Sequence, residues 1–148
     1  PVERGQRREL WQPFVERVVA ECELFGGDLL FSSFCEGAIA AVRAVADSAV
    51  APLVWDDLAA GLEIARRYDC EAIHPPRNAI VGTHLTETAD IGVSAGDPEI
   101  DVLEAAHAEG RAVNVWTAMN WVQFDALAAA GVDGIIADYP GLAGGSSK

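Results

Sequence analysis

Apolar positions along this chain alternate between two rhythms. Short runs of four to six read as buried strands, and longer stretches spaced by three or four read as helices. The first rhythm is a helix over about Gln12 to Cys22, where Phe14, Val15, Val18, Val19 and Cys22 form one stripe and Pro13 suits a first-turn position. Gly26-Gly27 ends it. Asp28 to Phe34 follows as a strand, then Glu36 to Asp47 as a helix with Ile39, Val42, Val45 and Ala46 inward. Pro52 to Trp55 reads as a second strand. Asp56-Asp57 reads as the cap of a helix carrying Leu58, Leu62, Ala65 and Tyr68. Ala72 to His74 is a short third strand. Pro75 to Gly96 has no clean period and is expected to be a long loop with a turn of helix at most; such loops are usually functional or mobile. Asp97-Pro98 reads as an N-cap followed by a first-turn proline, opening a helix with Ile100, Leu103 and His107 that ends by Gly110.

The clearest unit lies between Ala112 and Pro140. A fourth strand over Ala112 to Thr117 leads into a helix with signals at both ends. Asn120 with Gln123 has capping-box spacing, and Gly131 sits where a left-handed residue ends a helix. Trp121, Phe124, Leu127 and Ala128 form its stripe. Gly134 to Asp138 is the fifth strand. From Gly141 the composition, with Gly144-Gly145-Ser146-Ser147, predicts a flexible tail over 141–148.

Strands joined through helices pair in parallel, with right-handed crossovers. The order predicts one α/β domain over residues 1–148, with about five parallel strands. Two arrangements suit the pattern: a partial (β/α) TIM-type barrel, or a small doubly wound open sheet. In both, ligands bind at the carboxyl ends of the strands. Those ends carry Phe34, His74, Trp116 and Asp138, and Asn114 shares a strand face with Trp116 at period two.

Composition narrows the function. Of 148 residues, 51% are hydrophobic, which excludes a disordered chain. No run approaches a membrane span, and no secretory signal opens the chain. The net charge is −13, and Lys148 is the single lysine. Such a surface repels nucleic acid and anionic membranes. It is similar to that of halophilic cytoplasmic proteins, whose self-repulsion salt screens; an ordinary acidic bacterial protein is the plainer alternative. Cys22, Cys35 and Cys70 are odd in number and widely spaced, which argues for a reducing compartment, the cytoplasm, over a disulfide or zinc framework. Cys22 falls on the first helix's apolar face and reads as a small buried hydrophobe.

Isolated chemical candidates are weak. Ser32 and Ser33 lack a nucleophile elbow and read as strand residues. Asp56-Asp57 offers oxygen ligands for a metal, but helix capping accounts for one carboxylate. His107 lies on a helix stripe and reads as a core or boundary residue.

Several separate strings resemble one family in order and spacing. Leu29-Leu30-Phe31-Ser32-Ser33-Phe34, Ala72-Ile73-His74-Pro75, Val113-Asn114-Val115-Trp116-Thr117 and Asp133-Gly134-Ile135-Ile136-Ala137-Asp138-Tyr139-Pro140 are similar to the later strands of a glycerophosphodiester phosphodiesterase barrel. The resemblance covers about Asp28 to Leu142. It implies a C-terminal barrel portion in which Phe34, His74, Asn114, Trp116 and Asp138 line a substrate pocket. In the complete enzyme it implies a divalent cation, Mg or Ca, and hydrolysis of glycerophosphodiesters to glycerol 3-phosphate and an alcohol. The family's catalytic set comprises an opening His-Arg-Gly, a Glu-x-Asp metal pair, a His-Asp and a Glu-x-Lys. None is expected here, since His74, His84 and His107 precede neither Arg-Gly nor Asp. The first residue, Pro1, and a length below the ~200 residues of a closed barrel both point to part of something longer. No catalytic or metal-ligating residue is therefore assigned. The expected partners are a small phosphodiester and, because a half-barrel has open edges, a second copy or a missing N-terminal half. Within the matched region Cys35 stands where the family often has Asp, and Ala118-Met119 where it has Val-Asn. A non-catalytic α/β binding module and a flavodoxin-like regulatory domain remain alternatives.

Overall fold

In the computed structural model of the protein, residues 7–87, 96 and 98–144 are described. Among these residues five strands alternate with five helices: α1 (Arg8–Cys22), β1 (Leu30–Ser33), α2 (Glu36–Val45), β2 (Ala49–Pro52), α3 (Leu58–Arg67), β3 (Ala72–Ile73), α4 (Val102–Ala108), β4 (Ala112–Ala118), α5 (Trp121–Ala130) and β5 (Gly134–Ala137). All strand pairs are parallel, with Leu30 opposite Ala49, Ala72 opposite Ala112 and Asn114 opposite Gly134. The β1–β2 pair joins the β3–β4–β5 sheet just past the end of β2. There Leu53 bridges His74, the His74 amide donates to Pro52 O at 2.9 Å, and the Val54 amide donates to His74 O at 2.9 Å. The strands therefore follow chain order, 1-2-3-4-5. A doubly wound sheet reverses its order at a switch point, so this run is the arc of a partial (β/α) barrel. Among the described residues, β1 and β5 are each paired on one side only.

Two apolar clusters hold helices to strands. Val50 of β2 packs with Val15, Ile39, Ala41 and Val42 of α1 and α2. Ile73, Val113 and Val115 pack with Leu62, Val102, Ala106 and Leu127 of α3, α4 and α5. At the amino ends of the strands Arg43 acts as a clasp. Its guanidinium donates to Tyr68 O at 2.9 Å, Ser48 O at 3.0 Å and Asp69 O at 2.7 Å, and it pairs with Glu71 at 2.6 Å. Glu71 in turn accepts the Val50 amide at 2.9 Å, so α2, β2 and the lead into β3 are tied together.

Several expected boundaries shift. The second strand is Ala49–Pro52, not Pro52 to Trp55. Proline normally opens a strand, but here the small Ala49-Val50-Ala51 run pairs with β1, and Pro52 serves through its carbonyl alone. α1 starts at Arg8 and carries Pro13 inside it, because Trp11 packs on the core and holds the first turn past the proline. Of its expected stripe Phe14 is exposed, and Cys22 is half-buried. In α2 the buried face is Gly37, Ala38, Ile39, Ala41 and Val42, and Val45 is exposed; small residues let α1 lie against it. α4 begins at Val102, after Asp101, whose carboxylate accepts the Glu104 amide at 3.0 Å. The expected cap Asp97 lies outside the described residues.

α5 keeps both signals, since Asn120 accepts the Gln123 amide at 3.0 Å and Gly131 has φ 89°. In its stripe Leu127 is buried, but Ala128 is exposed. The expected long loop after β3 holds two 3₁₀ turns, Arg77–Ala79 and His84–Glu87, and buries Pro75, Pro76, Ala79, Ile80 and Leu85. Up to Glu87 it is packed structure. The expected tail opens with a 3₁₀ turn, Pro140–Gly144, that buries Leu142; residues 145–148 lie outside the described residues.

Candidate functional site

The carboxyl ends of the strands gather one aromatic cluster. Phe34 follows β1, Trp55 lies beyond β2, and Trp116 is near the end of β4. Their ring centroids are 5.5 Å apart for Phe34–Trp55 and 5.7 Å for both Phe34–Trp116 and Trp55–Trp116. Alternation explains Trp116. Val113 and Val115 face the helices and are buried, so Asn114 and Trp116 face the other side of the sheet. The Trp116 indole N–H donates to the backbone carbonyl of His74 at 2.9 Å, fixing the ring against the neighbouring strand. The Trp116–Thr117 peptide is cis.

Beneath the cluster lies a polar layer. His74 is 4% exposed, and its Nε2 lies 2.9 Å from Asn114 Nδ2. With the amide as donor, the imidazole proton rests on Nδ1, which is buried and finds no partner among the described residues. Burial pushes the His74 pKa down to about 4, so the ring is neutral at neutral pH. Asn78 is also buried, and neither of its side-chain polar atoms has a partner among the described residues. Such groups cost stability. Arg77 donates to Thr117 O at 2.7 Å and stands at the same rim.

Of the five residues the resemblance assigns to a pocket, Phe34, His74, Asn114 and Trp116 come together. Asp138 follows β5, exposed, and its side chain makes no hydrogen bond or ion pair among the described residues. Trp55 and Arg77 were not foreseen. Trp55 was legible as an aromatic residue at a strand end, whereas Arg77 lay in a segment without period.

The remaining candidates are structural. Ser33 Oγ accepts the Cys35 amide at 3.0 Å, a turn contact. Asp57 caps α3 by accepting the Ala60 amide at 2.9 Å. His107 is exposed and meets Asp133 at 2.7 Å, while Asp133 also accepts the Val113 amide. Burial raises the Cys70 thiol to about 11, which leaves it inert. One Glu-x-Asp string does occur, at Glu99-Ile100-Asp101, but Asp101 is occupied as the α4 cap. Among the described residues no three His, Cys, Asp or Glu side chains converge as a metal ion requires. The donor set of the described residues therefore does not fit the divalent cation that the resemblance implies.

A model of the glycerophosphoryl diester phosphodiesterase family matches residues 9–142. No curated protein matches the chain. Among solved structures, a phosphodiesterase from Oleispira antarctica in complex with the product sn-glycerol-3-phosphate is similar at 20% identity and TM-score 0.68, over 89% of this chain and 48% of that one. A putative glycerophosphoryl diester phosphodiesterase from Silicibacter pomeroyi is similar at 18% identity and TM-score 0.67, over 96% of this chain and 46% of that one. A glycerophosphodiester phosphodiesterase from Parabacteroides distasonis gives 15% identity and TM-score 0.61, over 91% and 50%. The chain thus spans about half the length of the structures it matches. No helix among the described residues is long and apolar enough to cross a membrane.

Proposed function

The chain belongs to the glycerophosphoryl diester phosphodiesterase family, and from that premise we propose that it forms the substrate-holding half of a phosphodiesterase barrel. The observation that carries this reading is the convergence of Phe34 and Trp116 at the strand ends, with Trp116 anchored to His74 O. In this reading Phe34, His74, Asn114, Trp116 and Asp138 line the mouth that receives a glycerophosphodiester. The complete protein would cleave the diester to glycerol 3-phosphate and an alcohol.

The chemistry of cleavage falls outside this chain. Attack of water on phosphorus needs a group that takes a proton, one that gives a proton to the leaving alcohol, and stabilisation of the developing charge. His74 is poorly suited to the first two, being buried, neutral and bound to Asn114. A divalent ion would neutralise phosphate charge in the whole enzyme, but the residues described here do not form its site. We therefore read the chain alone as inactive. The one-sided edges of β1 and β5 suit pairing with a missing N-terminal half or a second copy. The acidic surface and three free cysteines suit a salt-rich, reducing cytoplasm.

The test has two arms. Glycerol 3-phosphate should quench tryptophan fluorescence saturably, and Trp116→Leu should weaken that binding about tenfold. Glycerophosphocholine with Mg²⁺ or Ca²⁺ should show no turnover above the Trp116→Leu background. Turnover above background would refute the division of labour, and absence of glycerol 3-phosphate binding would refute the mouth.

A further inference from the structure

Helices and strands are not matched evenly along the arc. α2, α3, α4 and α5 each follow one strand and precede the next, so each covers one gap of the parallel run. α1 precedes β1, and no strand among the described residues comes before it. It lies against α2, with Val15 in the cluster around Val50 and with Trp11 and Val19 beside it. Part of its surface stays bare, since Leu10 is 47% and Phe14 61% exposed. Between α1 and β1 lies an apolar cavity of about 140 Å³, lined by Trp11, Phe14 and Val18 of the helix and Phe31 of the strand. α1 is thus a covering helix with no strand beyond β1 to cover.

The inner face of the arc is unfinished at the same two edges. Phe31 and Ile135 turn outward to the helices, so alternation turns Leu30 and Ile136 inward. Both inward side chains are bare for their type, Leu30 at 41% and Ile136 at 40%. The two edge strands run the same way, because every pair in the arc is parallel. A two-fold axis along the barrel axis would set β5 of one copy beside β1 of another without reversing either strand. It would do so twice, and the barrel would close. At each seam α1 would cover the gap between β1 and the neighbouring β5, as a crossover helix does. Leu30 of one copy would then share the inner face with Ile136 of the other. The lengths agree as well. The chain covers 48%, 46% and 50% of the solved relatives, so two copies supply as much chain as one of them. Five strands from each copy make a barrel wider than the usual (β/α) kind, which leaves room for inward side chains from both.

We propose that two copies of this chain close into one barrel, β1 of each beside β5 of the other, and share a single mouth. This rests on the reading of the chain as half of a phosphodiesterase barrel and names the partner that completes it. Closure satisfies the edge N–H and C=O groups, covers Leu30 and Ile136, and gives α1 a strand to pack on. Phe34, Trp55 and Trp116 of each copy form one side of the mouth, so neither copy encloses a ligand alone. The second copy adds no kind of group that the first lacks, so the dimer binds without turnover. A charge of −13 on each copy opposes association, and salt screens that repulsion.

Light scattering at molar salt should give a dimer, and lowering the salt should loosen it. A charge swap reads the seam. Leu30→Asp places a carboxylate on β1, and Ile136→Arg places a guanidinium on β5. Alone, each variant sets its charge against an apolar side chain at both seams and should dimerise roughly tenfold more weakly or worse. Mixed in equal amounts, the two form one seam with an ion pair and one with the native residues. The mixed dimer should return to within about threefold of the wild-type dissociation constant, since cross-strand and diagonal neighbours are both in reach of arginine. Pairing of β1 with β1, or of β5 with β5, would leave one single variant fully dimeric and overturn the proposal. A monomer at molar salt, open-ended oligomers, or a mixture without rescue would also overturn it. Capture of a separate N-terminal half by a chain that is monomeric alone would overturn it in favour of that half. Should either variant lose its cooperative melt, hydrogen exchange of the wild type decides. Amides on the free edges of β1 and β5 should gain protection as concentration rises, and unchanged edge protection would overturn the proposal. Glycerol 3-phosphate binding by a monomer would overturn the dimer and leave the mouth standing. A dimer with charge-swap rescue that binds no glycerol 3-phosphate would overturn the mouth alone.

Discussion

Arg43→Ala removes one side chain and releases four acceptors. Two of the bonds, to Tyr68 O at 2.9 Å and Ser48 O at 3.0 Å, are part-buried. Losing each should cost about 1.5 kcal/mol, the lower end for a charged donor, because the carbonyl is left poorly solvated. The bonds to Asp69 O and Glu71 are exposed, so water replaces them, and together they add at most about 1 kcal/mol. The sum is about 3–4 kcal/mol, a large share of the ~5–15 kcal/mol that holds a domain folded. For a chain of this size that is roughly 6–16 °C in melting temperature. Urea denaturation followed by circular dichroism gives the free energy directly. Arg43→Lys should recover less than half of the loss, because one ammonium cannot span the acceptors of a planar fork. A loss below about 1 kcal/mol for Arg43→Ala would refute the clasp and mean that β2 and β3 are held by their ladders and the apolar cluster alone.

Other expectations follow from single groups. Cys35 occupies the N-cap of α2 with extended backbone and no side-chain cap bond, so Cys35→Asp should stabilise the protein by about 1 kcal/mol; an unchanged urea midpoint would contradict this. The His74 pKa falls from its ordinary 6.5 to about 4 on folding, so between those values the unfolded chain holds more protons. Stability should therefore decline as pH falls from 6.5 to 4, by up to about 3 kcal/mol, and His74→Gln should flatten that part of the pH–stability curve. Glu71 acts lower on the scale. Burial alone would raise its carboxyl, but the Val50 amide and Arg43 outweigh it and hold it below the ordinary range. Its contribution is full above the unfolded value near pH 4.5 and is lost as pH drops further, so Glu71→Gln should lower stability above that point and flatten the curve below it.

The fold was largely legible because several βα units carry their own punctuation. Asp57, Asn120 and Gly131 sit where the backbone needs a cap or a left-handed residue, and the structure uses each for that purpose. Chain-order pairing was not legible, since a period of two says that a strand exists but not which strand lies beside it. Nor was the length of α1, where Trp11 packs on the core and overrides the signal of Pro13. At the candidate site Phe34, Asn114 and Trp116 could be placed by alternation and by family likeness. Trp55 was visible as an aromatic residue at a strand end, but not its place in the cluster, because the three rings meet only once the strands are set side by side. His74 was visible as a residue, but its shifted protonation comes from burial that no local pattern records.

Pairing of every strand with its successor also shapes how the molecule assembles. β1 meets β2, and β4 meets β5, across about 20 residues of chain, whereas β3 meets β4 across about 40. Loop closure grows costlier only slowly with length, so each βα unit can find its neighbour without waiting for distant segments. The contacts are local for a parallel sheet, a topology otherwise among the slower to form. Assembly can therefore start independently at either end, in the β1–α2–β2 and β4–α5–β5 units. The two growing pieces then join at the β3–β4 seam, where the packed segment from Pro75 to Glu87 must settle before Trp116 can reach the His74 carbonyl. The aromatic cluster takes one ring each from the ends of β1, β2 and β4, so its Trp116 contacts require the β3–β4 seam to be closed.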